Sequence, residues 1–331
     1  MEVRMKIGII GCGKIAERHL LAYKKMPEIE VVISDKDTER AKKLSKIMKV
    51  DFVKDVRKII NSDKFDAIDI CVPTPYHKKY IIKSLEAEKH VFCEKPICLN
   101  LKEALEIKKW AEKVKKIVMA GYLYRFHPAF QFVKKVLEER IIGKPYFAIF
   151  RLGGRGSHML WKHRKSEGGG AILEMVVHKL DLIVWYFENI SKSRFLIKDT
   201  VIKSREIEGK KYEVDAEDLV MLELESNEIK ILCESDLLTP SYMNYIEIHG
   251  ENGSIFTSIL HFMPTIVFCK EARGIFNTGN NIYHFPMENL FEKELGHFVE
   301  CIKNGEKPLN SIEESIKVFE ILEQAEIWGR D

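Results

Sequence analysis

The 331 residues predict a two-domain α/β fold, a parallel α/β half followed by a half rich in antiparallel strands. Three observations predict it. The chain opens on an apolar run punctuated by glycine and followed by a helical pattern. Strands and helices then alternate as far as residue 121. Beyond that point, residues 194–270 read as consecutive strands with turn signals between them. The length exceeds one typical core and suits two domains, divided as 1–121 and 122–331.

The elements follow in order. Residues 5–10 (MKIGII) are apolar without helical period and bounded by glycine, which marks a buried strand. From Lys14 a helix carries Ala16, Leu20 and Tyr23 on one stripe, and Pro27 closes it. A strand at 30–34 comes next, then a helix at 38–48, a strand at 51–53 and a helix at 55–61. The pattern continues with a strand at 67–72, a helix at 76–88, a strand at 90–93, a helix at 100–115 and a strand at 117–120. Such alternation implies right-handed crossovers and a parallel sheet. After Gly121 come a helix at 128–140, a strand near 146–152, a basic Gly-rich stretch at 153–169 and a long helix at 170–187. Strands then follow with turns at Glu208-Gly209, Ser226-Asn227 and Glu251-Asn252-Gly253, and helices at 288–304 and 311–328 end the chain.

Composition excludes several classes. Apolar residues make up 46% and charged residues 31%, the balance of a soluble globular protein. A net charge of +3 gives no reason to expect nucleic acid as partner. No apolar run approaches the roughly 18 residues of a membrane span, and the N-terminal run leads into Gly11-Cys12-Gly13 instead of a signal-peptide cleavage site. The seven cysteines have no CxxC pair, which fits free thiols in a reducing cytoplasm and leaves no zinc framework. Abundant Lys, Glu and Ile with only two glutamines, Gln131 and Gln324, is a thermophile's bias. An AT-rich genome produces much of the same.

Gly11-Cys12-Gly13-Lys14-Ile15-Ala16 is a GxGxxA turn between the first strand and first helix. Gly11 allows the tight turn, Gly13 allows close approach of a pyrophosphate, and Ala16 allows the helix to pack on the strand. The backbone of Lys14 and Ile15 then opens the helix toward the anion. Asp35 lies 22 residues past Gly13, at the end of the second strand, where an acid accepts hydrogen bonds from ribose hydroxyls. Its charge would repel a 2′-phosphate, which favours NAD over NADP, although Lys36 beside it works the other way.

Three further segments carry chemistry. Cys71-Val72-Pro73-Thr74-Pro75-Tyr76-His77 follows the fourth strand and Glu94-Lys95-Pro96 the fifth, at the carboxyl ends where open parallel sheets bind ligands. In the third, a glycine run at 168–170 opens a helix on which Glu174, His178 and Asp181 recur at i, i+4, i+7 on one face.

The segments GCGKIA, CVPTPYH, VFCEKP, GYLYRFHPAF, GGGAILEMVVHKLD and ELGHFVECIKNGEKP, in that order, resemble the glucose–fructose oxidoreductase / inositol dehydrogenase (Gfo/Idh/MocA) family along essentially the whole chain. The resemblance implies a Rossmann domain, a C-terminal α/β domain with a large, mainly antiparallel sheet, and a homodimer or homotetramer built through that sheet. It also implies oxidation or reduction of a carbinol of a sugar, cyclitol or nucleotide sugar. Hydride transfer from a carbinol needs a base for the hydroxyl proton and a cation for alkoxide character. The family's lysine and histidine in those roles match Lys95 and His178. Thr74, Pro75 and His77 match a loop at the nicotinamide ribose, and Glu94 matches a residue at the cofactor. Arg125, in the YRFHP segment, is expected near the cofactor or the domain junction. Asp181 is open to three roles: orienting His178, binding a substrate hydroxyl, or capping backbone. The helix departs from the family's Asp-x-Gly-x-His pattern, reading Glu174 to His178 with Val176 where glycine is usual. The substrate pocket is therefore expected to be reshaped.

Arg155, His158, Trp161, Lys162, His163, Arg164 and Lys165 precede the glycine run. They read either as a basic, aromatic wall for an anionic sugar, with Trp161 and Arg164 on substrate, or as a solvated loop. Tyr242 and Asn244 begin a strand expected to face the cleft between domains. The leading reading is an NAD(H)-dependent dehydrogenase acting on a sugar or cyclitol. The runner-up is a UDP-sugar or uronic acid dehydrogenase. A reading of another class is a dinucleotide-sensing regulator without catalysis, which retention of Lys95 and His178 opposes. No metal is expected, because Lys95 supplies the electrophile.

Overall fold

The structure, a computed structural model, describes residues 4–156, 159–226 and 229–328; His158 and Asn227 lie outside the described residues. Two compact units are present. One is Met1–Leu123 with Asn289–Ile316, and the other is Tyr124–Glu288 with Lys317–Asp331. The first junction lies two residues from the expected one. The single division at 121 omits the return of 289–316 to the first unit.

The first unit runs β1 (Met5–Ile10), α1 (Lys14–Tyr23), β2 (Ile29–Ser34), α2 (Thr38–Met48), β3 (Asp51–Phe52), α3 (Arg57–Ile60), β4 (Ala67–Ile70), α4 (His77–Glu86), β5 (His90–Glu94), α5 (Leu101–Val114) and β6 (Val118–Gly121). Its six strands are all parallel in the order β3-β2-β1-β4-β5-β6. Helices cover both faces of such a sheet, so its strands are apolar throughout: Ile7, Ile9, Ile68, Ile70, Val91 and Phe92 have no exposed surface. Capping side chains start the helices. Asp37 accepts from Arg40 N–H at α2, and Asn100 accepts from Glu103 N–H at α5. The strand order reverses between β1 and β4, which makes their carboxyl ends the ligand crevice of this sheet.

The second unit contains α6 (Pro128–Glu138), β7 (Pro145–Gly153), α7 (Val177–Phe187), β8 (Lys192–Asp199), β9 (Ser204–Ile207), β10 (Lys210–Glu213), β11 (Leu219–Ser226), β12 (Ile229–Asp236), β13 (Met243–Gly250), β14 (Gly253–Ser258), β15 (Thr265–Cys269) and β16 (Gly279–Tyr283). Eight of these strands form one sheet in the order β16-β15-β14-β13-β7-β12-β11-β8. It is antiparallel except where β7 runs parallel to β12. The strand pattern read from the sequence stopped at 270 and missed β16. Gly279-Asn280-Asn281 is poor strand sequence, and pairing with β15 recruits it.

The chain ends in α8 (Leu290–Asn304) and α9 (Ile312–Trp328). Helix α8 belongs to the first unit. It packs on α1, and Phe298 meets Phe92 of β5 with ring centroids 5.7 Å apart.

Candidate active site

In the first unit the β1–α1 turn requires its first glycine. Gly11 has φ +101°, and a Cβ there would lie 2.6 Å from the carbonyl oxygen of Cys71. Gly13 is different: nothing lies within 4 Å of its would-be Cβ, and no side chain caps α1 behind it. Open space beside uncapped first-turn N–H groups, including those of Lys14 and Ile15, is a fit for a pyrophosphate. Asp35 follows β2. Its Oδ2 accepts from Cys12 N–H at 2.7 Å and its Oδ1 from Asp37 N–H at 2.8 Å. A carboxylate offers about four acceptor sites, so these two donors fix it and leave capacity for ribose hydroxyls. The Arg40 guanidinium stands 3.9 Å from it. Burial and the Asp35 charge push the Cys12 thiol up to about 12, so Cys12 is packing and not a nucleophile.

The loops after β4 and β5 bring the other cofactor-side residues. Thr74, buried, and Pro75 sit in a short helical turn, Thr74–Tyr76. His77 begins α4 and is 1% exposed, with Nδ1 2.8 Å from the Pro96 carbonyl and Nε2 2.7 Å from that of Val72. Its ring thus ties the loop after β4 to the turn after β5. Glu94 ends β5, and its Oε2 accepts from the Lys95 N–H at 3.2 Å. Lys95 is half-buried. It leaves the sheet two strands from the Gly11 turn, on the order of 10 Å away by strand spacing.

Beneath this edge lies a group that the sequence reading did not find. His19 of α1 has no exposed surface. Its Nδ1 is 2.8 Å from Asp69 Oδ2 of β4, and its Nε2 is 3.1 Å from Glu94 Oε1. Cys71 Sγ approaches both His19 Nδ1 and Asp69 Oδ1 at 3.3 Å. Burial works against a charged His19 ring, yet the charge and hydrogen bond of Asp69 hold its pKa well above the ordinary value. Burial works against a charged Glu94, yet hydrogen bonding and charge from His19, with Lys95 adding to them, hold its pKa below the usual carboxylate value.

In the second unit the glycine run is a packing requirement. Gly170 has φ +116°, and a Cβ there would lie 2.2 Å from Glu217 Oε1. The N–H groups of Ala171 and Ile172 donate to the Glu217 carbonyl and carboxylate at 2.7 and 3.2 Å. The helix expected over 170–187 therefore does not start as a regular α-helix. Ile172–Val176 is a π-helical turn, and α7 begins only at Val177. Glu174 lies in that widened turn and forms an ion pair with Lys162. His178 is half-buried, its ring 4.7 Å from that of Tyr124. Asp181 pairs with Arg125, Oδ2 with Nε at 2.9 Å and Oδ1 with Nη2 at 2.8 Å, and both side chains are 1% exposed. Of the three residues expected on one face, Glu174 and Asp181 each have a cation beside them, and His178 has an aromatic neighbour.

The basic stretch is partly neutralised by nearby acids. Lys162 pairs with Glu174, and Arg164 pairs with Glu167 at 3.2 Å. His163 is 2% exposed, its carbonyl accepting from the N–H groups of Asp215 and Ala216. The Lys162 ammonium sits 5.4 Å from the Trp161 ring, and Arg155 is exposed. A hydrogen-bonded chain, of which only Tyr242 and Asn244 were singled out from sequence, runs from Tyr124 inward. Tyr124 and Tyr242 hydroxyls are 2.6 Å apart, Asn244 Nδ2 donates to Tyr242 at 3.1 Å, and Lys179 Nζ donates to Asn244 Oδ1 at 2.6 Å. Lys179 is wholly buried, and burial pulls its pKa down to about 7.

A parallel sheet with a dinucleotide-fitting glycine turn at its switch point, and a lysine two strands along the same edge, defines an NAD-binding oxidoreductase. Comparison with known proteins places it further. Residues 5–122 match the model of the GFO/IDH/MocA oxidoreductase family, NAD-binding Rossmann fold, and residues 130–256 match the GFO/IDH/MocA C-terminal domain. The chain belongs to this family. It is 29% identical over 315 residues to myo-inositol 2-dehydrogenase of Thermotoga maritima, covering 94% of this chain and 92% of that one. It is 26% identical over 319 residues to scyllo-inositol 2-dehydrogenase (NAD(+)) of Bacillus subtilis, covering 93% and 89%. The fold matches that of levoglucosan dehydrogenase, solved in complex with NADH and levoglucosan, with a TM-score of 0.89 at 23% identity over 98% of both chains.

Proposed function

We propose that the protein is an NAD-dependent dehydrogenase that interconverts a secondary carbinol and a ketone on a neutral cyclitol or sugar. The observation that carries this reading is Lys95 at the carboxyl end of β5, in the same sheet edge as the Gly11–Gly13 turn. The inositol dehydrogenases among its relatives support the substrate class. Bound NAD+ supplies the hydride acceptor. Gly11, Gly13, Lys14 and Ile15 take the pyrophosphate, Asp35 the adenosine ribose, and Thr74, Pro75 and Glu94 the nicotinamide side. His77 braces the backbone behind them through Val72 and Pro96, and Arg125 holds Asp181 on the helix that carries His178. Lys95 donates a hydrogen bond to the reacting oxygen and stabilises its developing negative charge. His178 accepts the hydroxyl proton, so that one hydride and one proton leave the carbinol as its C–O bond becomes C=O. Glu174 and Trp161 face substrate hydroxyls. Pairing of Lys162 with Glu174 and Arg164 with Glu167 favours a neutral substrate over an anionic one. Free thiols at all seven cysteines, six of them buried, support a reducing cytoplasm, and no helix among the described residues is long and apolar enough to cross a membrane. The open face of the large sheet supports a homodimer or homotetramer.

The test is NADH formation with myo-inositol, scyllo-inositol, levoglucosan and glucose against glucuronic acid and UDP-glucose. Turnover of a neutral member is expected, and Lys95→Ala should lower kcat by about 100-fold or more while NAD+ still binds. Activity on the acids alone would overturn the substrate class. Undiminished turnover in Lys95→Ala would remove Lys95 from the chemistry.

A further inference from the structure

We infer that His19 is a positioning residue for the reaction: clamped between Asp69 and Glu94, it fixes the Glu94 carboxylate against the Lys95 N–H and so sets where the Lys95 side chain leaves the sheet. The inference rests on the reading of Lys95 as the electrophile.

The geometry is a line of three charged groups from three elements. Asp69 Oδ2 lies 2.8 Å from His19 Nδ1, Glu94 Oε1 lies 3.1 Å from His19 Nε2, and Glu94 Oε2 takes the Lys95 N–H at 3.2 Å. A neutral imidazole has one N–H and satisfies one of two carboxylates; satisfying both requires an imidazolium. Glu94 therefore has one oxygen on His19 and the other on the residue that follows it. Rotation of its side chain breaks both contacts, so the clamp holds the carboxylate in one orientation.

The surroundings keep the line intact. The rings of Phe92 and Phe291 stand 5.4 and 5.5 Å from the His19 ring and keep water from it. The ionisable groups facing His19 are Asp69 and Cys71 from β4 and its end and Glu94 from β5; Tyr23 of α1 meets the same Asp69, and Glu294 of α8 acts on Tyr23. The Asp69 and Glu94 carboxylates disfavour loss of the ring proton, while burial keeps the Cys71 thiol and the Tyr23 phenol protonated and uncharged. Burying three charges is a poor way to gain stability, since desolvation offsets their attraction. The arrangement makes sense as a device for orientation. His19, Asp69 and Cys71 also hold metal-ligating atoms within 4.8 Å of one another. The contact of Nδ1 with Asp69 at hydrogen-bond length and the engagement of Nε2 by Glu94 favour the clamp over an ion.

Two measurements on the full chain test it. In the wild-type protein, nitrogen NMR of isotope-labelled histidine should show the His19 ring with both nitrogens protonated at pH 8; a neutral ring there overturns the clamp and needs no variant. The second follows the Lys95 amine by trace acetylation with acetic anhydride and peptide mass spectrometry across pH, which needs no substrate. His19→Asn reaches Asp69 but not Glu94, whereas His19→Gln keeps a donor toward Glu94. In His19→Asn the Lys95 titration should move by about half a pH unit or more, with reactivity altered about threefold, while surface lysines stay unchanged. His19→Gln should fall nearer wild type. A Lys95 curve that coincides with wild type in folded His19→Asn overturns the inference. Retained turnover in Lys95→Ala with both measurements as expected would instead sink the role of Lys95 and leave the clamp standing.

Discussion

Asp35 illustrates what a single residue fixes and what it leaves to its neighbours. Its position after β2 was legible because an acid at that distance from a glycine turn has one recurrent use. Its two backbone hydrogen bonds, to Cys12 and Asp37, were not legible, since they depend on how the turn closes. They hold the carboxylate rigid, so replacing it changes both the ribose contact and the charge. Asp35→Ser should weaken NADH binding about tenfold and weaken NADPH binding less, as read by cofactor fluorescence titration, because the Asp35 charge no longer repels a 2′-phosphate while Lys36 and Arg40, the latter still paired with Asp37, stay beside it. An unchanged NADH to NADPH ratio would show that Asp35 does not select the cofactor. His19 is the opposite case. It occupies a helix whose apolar stripe is Ala16, Leu20 and Tyr23, and a histidine among them reads as an ordinary helix residue. Its partners arrive from 50 and 75 residues away, and a sequence without an alignment carries no trace of that pairing.

At the scale of elements, the helix carrying His178 shows where periodicity misleads. Residues 170–187 have one apolar pattern, and a 3.6-residue period puts Glu174, His178 and Asp181 on one face. The π-helical turn Ile172–Val176 breaks that period, because Glu217 captures the N–H groups of Ala171 and Ile172 and Gly170 holds a conformation closed to other residues. Gly170→Ala should cost about 2–4 kcal/mol of unfolding free energy, from backbone strain and the clash with Glu217, measured by denaturant titration; a loss below about 0.5 kcal/mol would show that the turn relaxes. One residue past His178, Lys179 makes α7 pH-sensitive. Its pKa falls from 10.5 to about 7 on folding. Above pH 7 the unfolded chain binds the extra proton, so stability from this group rises with pH between about 7 and 10.5 and is lowest below 7. Lys179→Met removes that penalty but leaves Asn244 Oδ1 without its donor. Relative to wild type the variant should gain about 2–3 kcal/mol of stability on going from pH 9 to pH 6. A difference of the same size at both pH values would mean that Lys179 does not titrate with folding.

For the whole molecule, the architecture was legible because each half announces itself by a different period, 3.6 alternating with short apolar runs in one and strand after strand in the other. The division of the chain was less so. Helix α8 follows the strands in sequence but buries Leu295, Phe298 and Val299 in the first unit, and only packing decides which core an amphipathic helix joins. The large sheet raises the remaining question at this scale. One of its faces is buried: Phe150 of β7, Leu222 of β11, Ile231 of β12, Ile246 of β13 and Val267 of β15 have no exposed surface. The other face carries a row in register across the strands, Leu232 beside Ile149, Glu247, Phe256, Ile266 and Ile282 in turn. Ile282 is 58% exposed and Phe268, in the next row, 40%. A soluble monomer seldom leaves five large apolar residues in one row open, here interrupted only by Glu247, because each buried methylene is worth about 0.8 kcal/mol and such a row invites a partner. A second copy offers the same face, and two-fold pairing sets each apolar residue against another. The native mass by light scattering should therefore be that of a dimer or tetramer at micromolar concentration. A charge placed at the row's end meets its own copy or an apolar neighbour across such an interface, so Ile282→Glu combined with Ile266→Glu should raise the dissociation constant at least about tenfold. Monomeric wild-type protein, or a double variant that associates as tightly as wild type, would assign that face to something other than self-association.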